Sequence, residues 1–172
     1  MSYKDPTAYP LGGNSAFTDP QQRFINGWSN HGGLRIEMPF ITQVADNLWH
    51  GGVEDGLVLP EFIEYKLSLY PWEDYTINHD IKETKKVQMY DSIDQGFDQI
   101  QELALWVNEK RKDGPVLVHC QAGLNRSSLV VAAALVASGE AANGQEAVDL
   151  IREKRSEACL CNPAFEAWVQ KL

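Results

Sequence analysis

The chain of 172 residues has few cysteines and lacks any long apolar run. Three cysteines cannot build a disulfide framework, and no stretch approaches the roughly 18 consecutive apolar residues of a membrane span. The N-terminus also lacks the basic, apolar and small-residue order of a secretory signal. The sequence therefore predicts one soluble, cytoplasmic domain without membrane association.

Basic residues are scarce as well, with 15 Lys and Arg against 24 Asp and Glu and a formal net charge of −9. Proteins that bind nucleic acid through its phosphate backbone need a basic surface, so general nucleic-acid binding is not expected. A single basic pocket remains compatible with this charge. The 44% of hydrophobic residues suffices for a core and excludes disorder over most of the length.

Residues 1–38 differ from the rest of the chain. Glycine and proline are dense there and no apolar period of 2 or 3.6 is present, which favours turns and extended segments. The segment is also too rich in aromatic residues for a solvated linker. We predict an irregular N-terminal arm over residues 1–38, lying against a folded domain at residues 39–172.

The remainder alternates between strand and helix patterns, which predicts an α/β fold with a central, mostly parallel sheet flanked by helices. The predicted strands are Ile41–Val44, Asn47–Trp49, Tyr65–Leu69, Lys86–Tyr90 and Val116–Val118. The predicted helices begin at a capping box at Ser92, near Ser127, at a second capping box at Asn143, and at Asn162-Pro163.

The most informative segment joins a buried strand to a buried helix. The strand ends at His119 and a helix is expected near Arg126, so residues 120–126 must turn tightly between them. At the carboxyl edge of a sheet, backbone N–H groups of such a turn converge on one point in front of the positive helix end. Gly123 permits the left-handed or closely packed backbone that this requires.

Cys120, the first residue of this loop, is the expected nucleophile. N–H dipoles and a nearby cation lower a thiol pKa from about 8.5, so Cys120 should be ionised at neutral pH. Arg126 can bind two phosphate oxygens, Ser127 can donate to the sulfur as it leaves, and His119 is expected to position the loop. The expected substrate-binding residues are Gln121, Ala122, Gly123, Leu124, Asn125 and Arg126.

His119–Ser127 resembles the HCxxGxxRS signature of cysteine-dependent protein tyrosine phosphatases, in the HCxAGxxRS form of their dual-specificity branch. The resemblance extends over residues 40–172. Val44–Gly52 is similar to the family's opening strand pair, and Asn143–Trp168 to its closing helices. It implies a protein tyrosine phosphatase-like fold and makes residues 39–172 the expected catalytic domain.

The resemblance further implies a two-step hydrolysis that uses no metal or other cofactor. Cys120 forms a phosphocysteine while an aspartic acid protonates the leaving oxygen, and the same aspartate then activates water. Asp91 is the preferred acid, because it follows a predicted strand and its separation from Cys120 is close to the family's usual one. Asp74, in a segment that resembles the acid loop of some lipid-phosphatase relatives, and Asp94 remain alternatives.

The implied activity is hydrolysis of phosphotyrosine, and of phosphoserine or phosphothreonine as well, in a phosphorylated protein or a small phosphorylated substrate. One alternative is RNA 5′-triphosphate or polyphosphate hydrolysis, since Asn125 before Arg126 resembles loops of that subgroup, although the net charge of −9 opposes it. A non-catalytic phosphate-binding module, sulfur transfer and arsenate reduction are weaker alternatives. The oligomeric state stays open.

The other histidines and cysteines carry weaker signals. His31, His50 and His79 are scattered without metal-ligand spacing and are expected at the surface or in loops. Cys159 and Cys161, beside a predicted helix, are expected to be structural.

Overall fold

The computed structural model describes residues 19–21, 24–28 and 35–172, and strands and helices alternate along them. The strands are β1 Phe24–Trp28, β2 Arg35–Pro39, β3 Ile41–Ala45, β4 Leu48–Gly51, β5 Tyr65–Ser68, β6 Glu83–Lys86 and β7 Val116–His119. The helices are α1 Ile100–Arg111, α2 Arg126–Ser138, α3 Gly144–Lys154 and α4 Pro163–Gln170.

The central sheet has the strand order β3-β4-β7-β5-β6, with β3 antiparallel to β4 and the other pairs parallel. All four residues of β7 are buried, which explains why this strand is continuously apolar before its final histidine. Gly51 of β4 and Ser68 of β5 both lie opposite His119. The carboxyl ends of three parallel strands therefore meet where the 120–126 loop begins, and the predicted α/β fold is confirmed.

Helix α2 forms the centre of the helical layer. Its residues from Arg126 to Leu135 are all buried, and it packs against α1, α3 and α4 as well as β7 and β4. This packing on every side agrees with its apolar sequence. Within the described ranges, no helix is both long and apolar enough to span a membrane.

The two helices after α2 begin at the predicted capping residues. Asn143 Oδ1 accepts a hydrogen bond from Glu146 N–H at 2.9 Å, and Asn162 Oδ1 accepts one from Ala164 N–H at 3.0 Å. These asparagines satisfy N–H groups that have no partner within the helix. The caps fix where the helical segments following the loop begin.

Two predicted boundaries are wrong. The strand expected at Lys86–Tyr90 ends at Lys86, because its partner β5 stops at Ser68 and Pro71 follows soon after. Tyr90 N–H instead binds the side chain of Gln95 at 2.8 Å. Because its side chain makes this contact, Gln95 does not form the expected capping box with Ser92. Helix α1 begins only at Ile100.

The N-terminal segment contains two strands that the sequence pattern does not predict. β1 and β2 pair antiparallel, with Phe24 opposite Pro39 and Trp28 opposite Arg35. The expected irregular structure over residues 1–38 therefore does not apply to these strands, and most of the remaining arm lies outside the described residues. The division into an arm at 1–38 and a catalytic domain at 39–172 stays a prediction.

Candidate active site

The carbonyl groups of the 120–126 loop are held by donors in the surrounding protein. Val53 N–H binds the carbonyl of Gln121 at 2.9 Å, Arg155 binds those of Ala122 and Gly123 at 3.2 and 2.8 Å, and Leu160 N–H binds that of Leu124 at 2.8 Å. In a trans peptide the N–H points away from the carbonyl. The outward carbonyls therefore leave the loop N–H groups facing inward, as in an anion-binding nest.

Arg155 connects this loop to the start of the central sheet. Its guanidinium is buried and also donates to Pro39 O at 3.0 Å, Phe40 O at 3.3 Å and Thr42 Oγ1 at 2.9 Å. The planar guanidinium can satisfy acceptors on two sides at once. Sequence reasoning missed Arg155, because an arginine at the end of a helix is usually solvated and its acceptors lie far away in the chain.

Gly123 is needed for both conformation and space. Its φ is +72°, and a Cβ at this position would lie 2.4 Å from Arg155 Nη2 and 2.5 Å from the carbonyl carbon of Gly51. A side chain would therefore clash with the group that holds the loop carbonyls. The expected role of this glycine in the turn is consistent with both measurements.

The Cys120 thiol lies buried in the middle of the loop. Its Sγ is 3.2 Å from Ser127 Oγ and accepts hydrogen bonds from the backbone N–H groups of Ser127 and Gly123. Burial raises the pKa of Cys120, but the charge of Arg126 and these hydrogen bonds outweigh it, so the pKa is lowered. The surroundings of Cys120 therefore favour the thiolate, and its role as nucleophile stays a prediction.

Arg126 extends from the first residue of α2 across the loop. It is buried, its Nη1 donates to Met89 O at 3.2 Å, and its guanidinium lies 5.3 Å from the centre of the Tyr70 ring. Its Nε is buried and has no hydrogen-bond partner among the described residues. A buried guanidinium N–H beside a thiolate is suited to bind an anion at the same place.

His119 lies behind the loop, at the end of β7. Its Nδ1 donates to Cys120 O at 3.1 Å, and its ring meets the ring of Tyr75 edge-on at 5.4 Å. Burial, assisted by the charge of Lys66, lowers the pKa of His119 to about 3. A neutral histidine fixed in this way fits the expected role in positioning the loop.

Asp91 is tied directly to the loop. Its Oδ2 accepts from Asn125 Nδ2 and its Oδ1 from Asn162 Nδ2, both at 2.9 Å. Asn125 Oδ1 in turn accepts Asn162 N–H at 2.8 Å. The structure thus brings Asp91 together with the 120–126 loop and the start of α4.

The two alternative acids have different surroundings. Asp74 forms ion pairs with Lys66 and Lys86. Burial raises the pKa of Asp74, but the hydrogen bonds from these lysines outweigh it and hold the pKa at about 2. Asp94 lies exposed in a turn, where its N–H donates to Ser92 Oγ at 3.2 Å. Asp74 is therefore held by two lysines that stabilise its ionised form, in contacts separate from the 120–126 loop.

Two side chains of the loop are engaged with the protein. Asn125, besides its bonds to Asp91 and Asn162, donates to Cys161 Sγ at 3.3 Å. Gln121 Nε2 donates to the hydroxyl of Tyr70 at 3.0 Å. Both side chains are therefore bonded within the protein, and the backbone N–H groups are the donors that the loop can offer to an anion.

Three aromatic residues, Tyr70, Trp72 and Tyr90, form what we term the aromatic array. The ring centres of Tyr70 and Trp72 are 5.0 Å apart and those of Trp72 and Tyr90 are 5.9 Å apart. Trp72 is 51% exposed and Tyr90 is 55% exposed. Because Tyr70 also lies against Arg126, the array leads from the anion site to the protein surface.

His50 is the site residue that sequence reasoning placed wrongly. It was expected at the surface or in a loop, yet it lies fully buried in β4, with Nε2 2.9 Å from Ser127 Oγ. The mixed apolar and polar sequence of β4 gives no sign of this contact. His79 is partly buried with Nε2 2.7 Å from Ile63 O, and His31 lies outside the described residues.

Residues 63–172 match the family model of the dual specificity phosphatase catalytic domain. This chain belongs to the dual-specificity phosphatase family. Over 56 residues it is 45% identical to mouse Dual specificity protein phosphatase 19, a segment that covers 33% of this chain and 24% of that protein. The match to that dual-specificity phosphatase thus spans about a quarter of its length.

Solved structures of similar fold are found as well. Human DUSP28 has a TM-score of 0.61 at 18% identity, with 77% of this chain and 91% of that chain covered. The human tyrosine phosphatase-like serine/threonine/tyrosine-interacting protein also has a TM-score of 0.61, at 17% identity, with 76% and 93% covered. At these identities the similarity concerns the dual-specificity phosphatase fold alone.

Replacing Gly123 by alanine should disrupt the loop. The variant combines the cost of a left-handed residue, about 1–2 kcal/mol, with the clash against Arg155. We expect its free energy of unfolding, measured by urea titration, to fall by more than that cost. Alkylation of Cys120 by iodoacetamide at neutral pH should also slow, because displaced N–H groups no longer stabilise the thiolate.

Gly56 provides the matched control. Its φ is +93°, and a Cβ there would meet nothing within 4 Å. Gly56→Ala should therefore show only the conformational cost and leave alkylation of Cys120 unchanged. Equal destabilisation in both variants would contradict the role of the contact between Gly123 and Arg155.

Proposed function

We propose that this chain hydrolyses phosphomonoesters, phosphotyrosine in proteins above all, through a phosphocysteine intermediate. The observation that carries the proposal is the group of donors around Cys120. Backbone N–H groups, the Ser127 hydroxyl and Arg126 surround a thiol whose pKa they lower. Such an arrangement binds the equatorial oxygens of a phosphate while placing phosphorus in front of the sulfur.

In the first step, the Cys120 thiolate attacks phosphorus. The S–P bond forms as the ester P–O bond breaks, and the charge on the phosphoryl oxygens is stabilised by Arg126 and the loop N–H groups. The leaving oxygen takes a proton from a carboxylic acid. Asp91 is best suited to this role, because Asn125 and Asn162 hold it beside the loop.

In the second step, water attacks the phosphocysteine. Asp91, now ionised, accepts a proton from the water as its oxygen bonds to phosphorus. The S–P bond breaks and its electron pair returns to Cys120 Sγ, where the Ser127 hydroxyl stabilises the charge. Both steps use only groups of the protein, and inorganic phosphate is the product.

The aromatic array supports phosphotyrosine as the main substrate. Tyr70 stands against Arg126, and the exposed rings of Trp72 and Tyr90 continue outward from it. A phosphotyrosine side chain bound through its phosphate could lay its ring against these faces. The smaller phosphoserine has no ring and would not make this contact. Aromatic pairs of this kind contribute about 0.5–1.5 kcal/mol beyond burial.

The placement of Asn125 does not favour hydrolysis of RNA 5′-triphosphate or polyphosphate. The resemblance to that subgroup rests on Asn125, whose side chain is bonded to Asp91, Asn162 and Cys161. Lys66 and Lys86, near the site, are paired with Asp74. A non-catalytic module is opposed by the lowered pKa of Cys120, which binding alone does not require.

Hydrolysis of p-nitrophenyl phosphate tests the proposed nucleophile. We expect turnover in the presence of EDTA, inhibition by orthovanadate, and a loss of more than about a thousandfold in kcat for Cys120→Ser. The rate should rise with pH as Cys120 ionises, with its midpoint below the ordinary thiol value. Substantial activity in Cys120→Ser would refute the phosphocysteine mechanism, and Cys161→Ser serves as the matched control.

Variants of the three aspartates test the general acid. Asp91→Asn should lower kcat for a phosphotyrosine peptide by about 100- to 10,000-fold and remove the basic limb of the pH–rate profile. The loss should be smaller with p-nitrophenyl phosphate, whose leaving group needs less protonation. The assignment fails if Asp91→Asn keeps both limbs of the profile, or if Asp74→Asn or Asp94→Asn loses the basic limb instead.

Trp72→Ala tests the contribution of the aromatic array. Loss of one ring contact should lower kcat/KM for a phosphotyrosine peptide about two- to tenfold and leave a phosphoserine peptide of the same sequence unaffected. Leu105→Ala, at an exposed apolar position on α1, is the control. An equal loss on both peptides would show that Trp72 does not recognise the ring.

A further inference from the structure

A chain of contacts runs from His50 to the candidate nucleophile. His50 Nε2 lies 2.9 Å from Ser127 Oγ, and Ser127 Oγ lies 3.2 Å from Cys120 Sγ. All three side chains are buried. His50 comes from β4 whereas Ser127 is the second residue of α2, so the contact spans two elements that pack against each other.

The imidazole of His50 is neutral in this setting. Burial lowers its pKa well below the usual value, and the charge of Arg155 lowers it further. The titratable groups around the cluster are Arg155, Arg126, Cys120 and Cys159, whose thiol bonds Ser128. A neutral imidazole carries one N–H, so its direction of donation is fixed by which nitrogen holds the proton.

The partners of Ser127 decide where that proton lies. A thiolate only accepts hydrogen bonds, so the Ser127 hydroxyl must donate to Cys120 Sγ. Its oxygen is then available as an acceptor, and His50 Nε2 is the ring atom in contact with it. His50 Nδ1 has no hydrogen-bond partner within the described part of the chain, so a proton there would stay buried and unpaired.

We propose that His50 is a positioning residue for the nucleophile: protonated at Nε2, it donates to Ser127 Oγ and directs the Ser127 hydroxyl proton toward Cys120 Sγ. Ser128 Oγ, 3.1 Å from the same nitrogen, shares this donor. A hydroxyl that accepts a hydrogen bond becomes a better donor, so the thiolate is stabilised more than by Ser127 alone.

The consequence for catalysis rests on the proposed phosphatase function. When water attacks the phosphocysteine, the P–S bond breaks and its electron pair moves to Cys120 Sγ. The Ser127 hydrogen bond stabilises this developing charge, and His50 keeps that bond aligned without transferring a proton. His50 therefore acts on the second step more than on the first, in which the sulfur loses negative charge.

The first test measures the thiolate directly and needs no substrate. In the full chain, the pH dependence of Cys120 alkylation by iodoacetamide gives the thiol pKa, with the modified peptide identified by mass spectrometry. His50→Leu should raise the midpoint by about half a unit to one unit, whereas His50→Gln should stay near the original value because its amide can donate from a similar position. His79→Gln, at a histidine outside the site, should change nothing.

The second test separates the two chemical steps. With p-nitrophenyl phosphate in a rapid-mixing experiment, His50→Leu should slow hydrolysis of the phosphocysteine by roughly three- to tenfold and produce a burst of nitrophenol, since the first step is little affected. In a Ser127→Ala background, His50→Leu should have no further effect, because its only route to the sulfur is already removed.

Several outcomes would overturn the inference. One is an unchanged alkylation midpoint and no burst in His50→Leu; another is full additivity with Ser127→Ala, which would indicate a general packing effect. A third measurement needs no variant: nitrogen chemical shifts of the His50 ring should show the Nε2–H form, and an Nδ1–H form contradicts the proposal. If the unaltered chain hydrolyses no phosphomonoester, the proposed function fails, while the alkylation and ring measurements still decide the role of His50.

Discussion

The geometry of the site depends on one buried cation. Arg155 binds two carbonyls of the 120–126 loop on one side and three acceptors at the start of the sheet on the other. Without it the Ala122 carbonyl would lose its guanidinium donor and the Gly123 carbonyl would keep the Cys159 thiol at 3.9 Å, so these peptides could turn their oxygens toward Cys120 instead of their N–H groups. Burying a guanidinium is costly, and five hydrogen bonds to fixed acceptors offset that cost. The electrostatic potential at the candidate anion site is thus positive because Arg155, a second cation, fixes the orientation of the loop peptide dipoles.

This construction explains how an acidic chain can contain the proposed phosphate site. The formal net charge is −9, yet the groups facing Cys120 are backbone N–H groups, the N-terminus of α2 and Arg126. Dipoles of this kind act over short distances, so they attract one phosphoryl group without creating a basic surface.

Features that depend on neighbouring residues could be predicted from the sequence. Features that depend on contacts between residues far apart in the chain could not. The loop, the position of Cys120 in it and the caps of α3 and α4 follow from short motifs, because strand, turn and helix signals lie next to each other in the chain. The start of α1 was misplaced because Gln95 bonds Tyr90 rather than closing a capping box. His50 and Arg155 act through partners far away in sequence, and no periodicity or spacing marks such contacts. Their contacts form only in the folded chain, where β4 and the end of α3 pack around the loop.

The attachment of Asp91 has a consequence for the energetics of binding. Asn162 caps α4 with its oxygen and holds Asp91 with its nitrogen, while Asn125 holds the same carboxylate from the loop. An acid seated in this way is already ordered before any ligand arrives. Under the proposed mechanism, in which Asp91 is the general acid, substrate binding then does not have to order this carboxylate. The conformational entropy of this side chain is therefore lost during folding and not on ligand binding.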